Sequence, residues 1–351
     1  IVYNNFPTRK SRLMTIKEYF ILLIFINISI ITNLYLLQHK TFSFLYLLNC
    51  FVCSIFNTIL GGYGHNGIHK LSYTTLFLDW NGLSTIEWLL EHVHSHHMYV
   101  NTEYDHDVQS IRPFLNWIPS KVNSLFASRG KHLIYLIAEI IVPFLGLMIN
   151  RFRWSLANNN NVPYYVRYSP YIFIFRILLH IFFQGLYFGC ITLILCLSIA
   201  GYYFAYLAHL NHGNKSKYKF DNEFVKHQID NTFDILIDDK YRHIILQLNK
   251  QSIHHLFPTI DHCHLNKVYE LIKPMLIYHD IFIYKDSLFN LNNSSYTNWL
   301  EFLIHSQDTD EDKEGIVFSE DFSEKGFLYN SLNSVLILSK FSIFFSDKPF
   351  F

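Results

Sequence analysis

The amino-acid sequence predicts an all-α membrane protein with four transmembrane helices and a cytosolic helical cap that holds a histidine-rich site. Half of the 351 residues are apolar and only 16% are charged, against about 25% in an average globular domain. Four stretches approach the roughly 20 apolar residues that a helix needs to cross a bilayer. Histidines gather in three short clusters at the edges of these stretches. The formal net charge is zero, which argues against nucleic-acid binding.

The four predicted spans divide the chain into a short leader, a membrane domain over residues 19–305 and a C-terminal extension. The spans cover residues of about 19–37, 42–60, 133–149 and 185–207. Residues 1–18 form a basic leader, which places the N-terminus in the cytosol by the positive-inside rule. We expect the apolar segment 171–183 to lie at the interface or within the bundle, because charged and polar residues interrupt it. The acidic segment 306–326 is typical of a disordered linker, and the apolar tail 327–351 has no assigned role.

The histidine clusters are the strongest indication of function. They read His65-Asn-Gly-Ile-His69, His92-Val-His-Ser-His96-His97 and Gln251-Ser-Ile-His254-His255. Neutral imidazole binds iron, copper, zinc and nickel. An HxxxH pair is expected roughly once by chance in such a chain, but the second cluster only once in about fifteen chains. Three clusters at membrane edges therefore favour a metal site over solvated histidines at helix ends.

The spacing of the histidines predicts two metals. Residues four apart lie on one face of an α-helix, so the two histidines of the first cluster can bind one metal. The glycine-rich run 61–64 just before them predicts that the second span ends there. His92 and His96 can also bind one metal together, with His97 turned toward a neighbouring one. His254 and His255 point in different directions and can serve two metals. The three clusters together hold eight histidines, which exceeds the four ligands that zinc normally takes.

These residues resemble the membrane fatty acid desaturases, and specifically the front-end desaturases. That family carries an HxxxH box, an HxxHH or HxxxHH box, and a third box in which Gln replaces the first His. Here the third box continues from His255 into Leu-Phe-Pro258, a front-end feature. Asn101 and the Asp105-His-Asp107-Val run are similar to the family's Asn and Asp-Pro-Asp pattern. The resemblance covers roughly residues 15–305.

The resemblance implies a non-haem di-iron site, and it adds one ligand that spacing alone does not indicate. The implied metal ligands are His65, His69, His92, His96, His97, His212, His254 and His255. His212 enters through the family's Asn-His pair at the end of the last span. Candidates for holding a water or for orienting a ligand imidazole are Gln251, Asn211, Asp105, Asp107 and His94.

Two assignments stay open at this point. The second box has one more residue between its histidines than most front-end members, so the first ligand is His92 or His94, and the helical spacing favours His92. Asp105 and Asp107 either orient ligand imidazoles or belong to a solvated loop. Seven further histidines are interpreted as ordinary polar residues: His106, His132, His180, His243, His262, His264 and His279.

The resemblance also implies an activity. A desaturase of this type introduces a cis double bond into a fatty acyl chain, carried by coenzyme A or by a phospholipid, using O2 and two electrons from cytochrome b5 and its reductase. We expect a multi-pass protein of the endoplasmic reticulum membrane with its site facing the cytosol. Many front-end members carry an N-terminal cytochrome b5 domain with a His-Pro-Gly-Gly motif. This sequence lacks that motif, so we expect the domain upstream of Ile1 or a separate cytochrome b5.

Three alternatives compete with this interpretation. A di-iron lipid hydroxylase uses a similar site, and a sphingolipid desaturase differs only in its substrate. A histidine-rich membrane metal transporter belongs to a different class. It would place ionisable residues within the spans, whereas these clusters lie outside them.

Overall fold

A computed structural model of the chain describes residues 1–102, 104–109, 163–212 and 223–291. The described part is mostly helical, as predicted. Its helices are α1 (Val2–Asn5), α2 (Ile16–Gln38), α3 (Phe44–Ile68), α4 (Leu76–Trp80), α5 (Thr85–Trp88), a π-helical segment (Leu89–His96), α6 (His97–Tyr99), α7 (His106–Gln109), α8 (Tyr164–Arg167), α9 (Pro170–Gln184), α10 (Leu186–His212), α11 (Phe224–Asp230), α12 (Gln251–Leu256) and α13 (Leu265–Tyr278).

Short 3-10 turns and one small parallel sheet connect these helices. The 3-10 turns cover Lys10–Arg12, Tyr73–Thr75, Asp239–Tyr241, Leu248–Lys250 and His262–His264. The sheet pairs β1 (Asp234–Ile235) with β2 (Lys285–Asp286), residue 234 opposite residue 285. This two-stranded pair is a minor departure from the all-α prediction.

Three helices in the described part are long and apolar enough to cross a membrane: α2, α3 and α10. They match the first, second and fourth predicted spans and make this a multi-pass membrane protein. The predicted span 133–149 and the segments 306–326 and 327–351 lie outside the described residues. Large apolar side chains such as Phe20, Ile24 and Ile31 are exposed along α2, as expected of a surface that faces lipid.

The first two spans form a helical hairpin that polar contacts hold together. Thr15 caps the start of α2 by accepting a hydrogen bond from the Glu18 amide, and Ser43 caps α3 in the same way. Between the helices, the Ser29 hydroxyl donates to Asn57 Oδ1 at 2.6 Å. Such interhelical hydrogen bonds stabilise helix packing inside a bilayer, because the hydrophobic effect there does not favour contact between helices over contact with lipid.

The shorter apolar helix α9 packs against the long helices on one side, while Phe175, Leu178 and Phe182 are exposed on the other. Gly185, with a φ of +83°, separates it from α10, and the two helices pack as an antiparallel hairpin in which Phe173 contacts Leu197. A Cβ at Gly189 would lie 2.7 Å from the His180 carbonyl oxygen. The glycine therefore permits the close approach of the two backbones.

The prediction that the second span ends at the glycine run 61–64 is wrong. Helix α3 continues through it to Ile68. A Cβ at Gly62 would lie 2.9 Å from the Leu246 carbonyl oxygen, and one at Gly64 would lie 2.8 Å from Leu78 Cγ. The glycines are thus sites of close packing, and that packing outweighs the cost of about 1 kcal/mol for each glycine in a helix. As a result, α3 extends far enough to present the first histidine cluster.

Residues 223–291 pack over the ends of α3 and α10. One apolar core joins Tyr63 of α3 and Leu210 of α10 to Phe233, Leu246 and Leu248. A second core packs α13 against α12. We call residues 223–291 the C-terminal layer. It places the third histidine cluster, on α12, directly opposite the first.

Candidate metal centre

All eight histidines that the sequence predicts as ligands meet at one place, between the ends of α3 and α10, the π-helical segment and α12. Six of them are no more than 4% exposed, and the other two, His69 and His212, are partly buried. Four separate chain segments supply these eight side chains. The tertiary fold therefore concentrates imidazoles that are up to 190 positions apart in sequence, as the distance from residue 65 to residue 255 shows.

The ring nitrogens divide the eight histidines into two groups. The five-histidine group is His65, His69, His92, His97 and His254, and the three-histidine group is His96, His212 and His255. Within each group, one nitrogen from every member lies within 4.8 Å of the others. The neighbouring His254 and His255 fall into different groups, which fits the expectation of two metals.

His92 contributes to a further set of candidate ligand atoms. With His96 and Asp107 it forms a set in which one atom from each residue lies within 4.8 Å of the others, and its ring stacks on that of His96 at a centroid distance of 5.1 Å, so a metal shared by His92 and His96 stays a prediction. The backbone over Leu89–His96 is π-helical, a geometry with hydrogen bonds between residues five apart. His92 Nε2 accordingly lies 3.2 Å from His97 Nε2. The His96 ring also lies 4.5 Å from that of His212 and 4.9 Å from that of His255. The second cluster therefore contributes histidines to both groups.

The structure distinguishes His92 from His94. His92 is buried, and its Nε2 lies 2.9 Å from His65 Nε2. His94 is exposed and belongs to neither group. The geometry therefore brings His92 into the five-histidine group.

Two carboxylates lie within hydrogen-bond distance of the Nδ1 atoms of histidines in the second cluster. Asp107 Oδ2 lies 2.9 Å from His92 Nδ1, and Asp105 Oδ2 lies 2.8 Å from His96 Nδ1. Asp105 is fully buried and also accepts a hydrogen bond from the backbone N–H of Asn101, so it does not belong to a solvated loop. A carboxylate at Nδ1 keeps the proton there and leaves Nε2 facing inward, which is how metal-binding imidazoles are commonly oriented.

Two further partners escaped the sequence analysis. Gln228 accepts from His255 Nδ1 at 2.9 Å and donates to the His97 carbonyl oxygen, so it links the second and third boxes. His262 Nε2 lies 2.9 Å from His254 Nδ1, and the interpretation of His262 as an ordinary polar residue is wrong. No motif marks either residue, because each reaches its partner only through the tertiary fold.

The other two side chains predicted near the metals differ in their placement. Gln251 Nε2 lies 3.2 Å from His212 Nε2, at the edge of the three-histidine group. The Asn211 amide donates to the carbonyl oxygens of Phe233 and Leu248. Asn211 therefore joins α10 to the C-terminal layer and does not face the ring nitrogens.

Burial keeps most of these imidazoles neutral. It lowers the pKa well below the usual range for His69, His92, His97, His254 and His255, and the neighbouring histidines add to the effect. For His96 burial also lowers the pKa, but the Asp105 carboxylate outweighs it and the pKa is raised overall. Neutral imidazole is the form that binds a metal.

The inward-facing nitrogens fit metal ions. Both ring nitrogens of His69 and the Nε2 atoms of His254 and His255 are buried, with no hydrogen-bond partner among the described residues. An unsatisfied buried polar atom costs about 1–3 kcal/mol. His65 Nε2 and His92 Nε2 are close enough to hydrogen-bond, yet two neutral imidazoles facing each other can share only one proton. A cation between such nitrogens would satisfy them together, and imidazole suits iron, zinc and copper.

Comparison with known protein families gives evidence that is independent of the geometry of the histidines. The family described as fatty acid desaturase matches residues 42–287 of this chain. The match includes all eight histidines, Gln228 and His262. No curated protein matches the chain.

Proposed function

This chain belongs to the fatty acid desaturase family, and we propose that it introduces a cis double bond into a fatty acyl chain. The observation that supports this proposal most directly is the convergence of eight histidines into groups of five and three. Desaturation reduces O2 to two waters with four electrons. Two come with the two hydrogens taken from adjacent methylenes, and two come from an electron donor together with two protons.

The proposed metal assignment follows the two groups. The five-histidine group would hold one iron, and the three-histidine group would hold the other. Gln251, beside the three-histidine group, would contact its iron through a water, because a neutral amide is a poor ligand. When bound, the two irons supply the activation of O2 that removing hydrogen from a saturated carbon requires.

The chain's own residues prepare the site. Asp105 and Asp107 hold protons at Nδ1 of His96 and His92, and Gln228 does the same for His255. This leaves Nε2 unprotonated in each ring. Burial excludes water from the inward face, which limits side reactions.

An apolar wall beside the five-histidine group suits an acyl chain. The Trp88 ring stacks on His92 at a centroid distance of 4.7 Å and contacts Phe204 of α10 at 5.3 Å. Trp88 belongs to an apolar cluster with Ile68 and Leu78. We propose that the reacting methylenes pass along this wall, held by burial of apolar surface.

The same proposal includes location and partners. The basic leader favours a cytosolic site, covered by the C-terminal layer as a cap on four spans, in the endoplasmic reticulum membrane. Cytochrome b5 and its reductase would supply the electrons. The acyl carrier is coenzyme A or a phospholipid, and the third box favours the front-end type of desaturase.

Expression in yeast tests the proposal. Cells would receive saturated and polyunsaturated fatty acids, and mass spectrometry would map double-bond positions in total lipid. We expect a new cis double bond with the wild-type chain, none with His255→Ala, and wild-type product with His279→Ala, since His279 is exposed. An unchanged profile despite ample chain and cytochrome b5 would contradict desaturation. A hydroxylated product would instead favour the lipid hydroxylase.

A further inference from the structure

We propose that His262 is a positioning residue that fixes the ring orientation and tautomer of His254, an inference that rests on the proposed metal site. His262 Nε2 lies 2.9 Å from His254 Nδ1, and the two rings meet edge to face at 85°. His254 Nε2 is buried and has no hydrogen-bond partner among the described residues. With a metal at that nitrogen, Nδ1 would carry the proton and donate a hydrogen bond to His262 Nε2.

His262 is placed to accept this hydrogen bond. It is 4% exposed, and its Nε2 is the ring nitrogen that faces His254. The partner of His254 thus differs from the carboxylates behind His92 and His96. An imidazole accepts less strongly than a carboxylate, so His254 is the less electron-rich of these ligands.

A buried ion pair holds the turn that carries His262. Asp261 is 1% exposed and accepts hydrogen bonds from Asn66 Nδ2 at 2.7 Å and from Lys70 Nζ at 2.9 Å. Asn66 and Lys70 each follow a histidine of the first box directly in sequence. The turn is therefore fixed to the part of the chain that supplies His65 and His69.

The basic leader, residues 1–18, also contacts the turn that carries His262. The Asp261 amide donates to the Arg12 carbonyl oxygen, and His264 Nε2 lies 2.8 Å from the Leu13 carbonyl oxygen. Since both ends of the turn are held, the position of His262 is set before any metal binds. It can then hold the His254 ring 4.8 Å from the His65 ring and 4.7 Å from the His69 ring.

Three variants of the full chain test this role: His262→Ala, His262→Gln and, as a matched control, His279→Gln, because His279 is exposed. The glutamine amide oxygen can occupy the place of Nε2 and accept the same hydrogen bond. Each metal-free protein in detergent would be titrated with Co2+. The readouts are the visible absorption of the bound Co2+, its affinity, and the thermal unfolding of the metal-free form.

We expect His262→Ala to weaken Co2+ binding at the five-histidine group by about 10- to 100-fold, the usual effect of removing an outer partner. His262→Gln should restore most of that affinity, and His279→Gln should bind like wild type. Two results would overturn the role: unchanged binding by His262→Ala, or equal losses in the Ala and Gln variants, which would make His262 a ligand itself. A wild-type chain that binds no Co2+ would overturn the metal site, and this role with it.

Discussion

Replacing His92 by Ala, with His94→Ala as its matched control, tests how the second box binds metal. His92 Nε2 lies 2.9 Å from His65 Nε2 and 3.2 Å from His97 Nε2, whereas His94 is exposed two residues away. Both variants remove the same side chain from the same π-helical segment. A difference between them therefore reports on the position of the imidazole and not on loss of a histidine as such.

The expected magnitude follows from the contacts of His92. Losing only an outer partner of a ligand costs about 10- to 100-fold in metal affinity, or about 1.4–2.8 kcal/mol at about 1.4 kcal/mol per tenfold. His92→Ala removes an inward nitrogen and also the hydrogen bond to Asp107. The loss should therefore exceed about 100-fold. An exposed substitution such as His94→Ala should change stability by no more than about 0.5 kcal/mol.

Metal titration of the two purified variants measures this difference, and product analysis in yeast checks its consequence for activity. We expect His92→Ala to lose tight binding at one of two sites and to make no product, while His94→Ala behaves like wild type. Equal effects of the two variants, or a larger effect of His94→Ala, would refute the grouping of the ring nitrogens.

Three further predictions concern a partner, a packing contact and pH. Asp105→Asn should lower metal affinity about 10- to 100-fold in the same titration, because an amide holds the His96 proton less strongly. Gly62→Ala should destabilise the protein by about 1–3 kcal/mol in thermal unfolding, because its Cβ would lie 2.9 Å from the Leu246 carbonyl oxygen. Acid should destabilise the metal-free protein, because each histidine with a lowered pKa stays neutral in the folded state but binds a proton when the chain unfolds. Below about pH 6.5, the free energy of unfolding should therefore fall by about 1.4 kcal/mol per pH unit for each such histidine. His96, whose pKa is raised, acts in the opposite direction, and unfolding curves that do not change between pH 7 and 5 would contradict the lowered values.

The periodicity and spacing of residues in the sequence predict those features of the structure that are set locally, within one short stretch of chain. The apolar lengths of α2, α3 and α10 predict membrane helices directly, since bilayer thickness sets the required length. The histidine boxes predict a shared site because imidazoles four apart lie on one helical face. His212 required the resemblance to the family, because one histidine at a helix end carries no signal of its own.

Other features depend on packing that spacing does not encode. The glycine run in α3 breaks an isolated helix, but it packs here against Leu246 and Leu78. The π-helical turn places His97 Nε2 3.2 Å from His92 Nε2, an arrangement that α-helical periodicity does not predict. Gln228 and His262 contact ligand imidazoles only because the C-terminal layer folds onto α3 and α10.

The metal content of the purified chain tests the central claim most directly. The full chain would be purified in detergent without added chelator, and its metals would be counted by mass spectrometry against protein concentration. The two groups of histidines predict about two irons per chain. They also predict about one iron after loss of His255 from the three-histidine group, with the other group intact. A chain that folds and retains its helices yet binds no iron, or binds a single zinc, would contradict the di-iron centre.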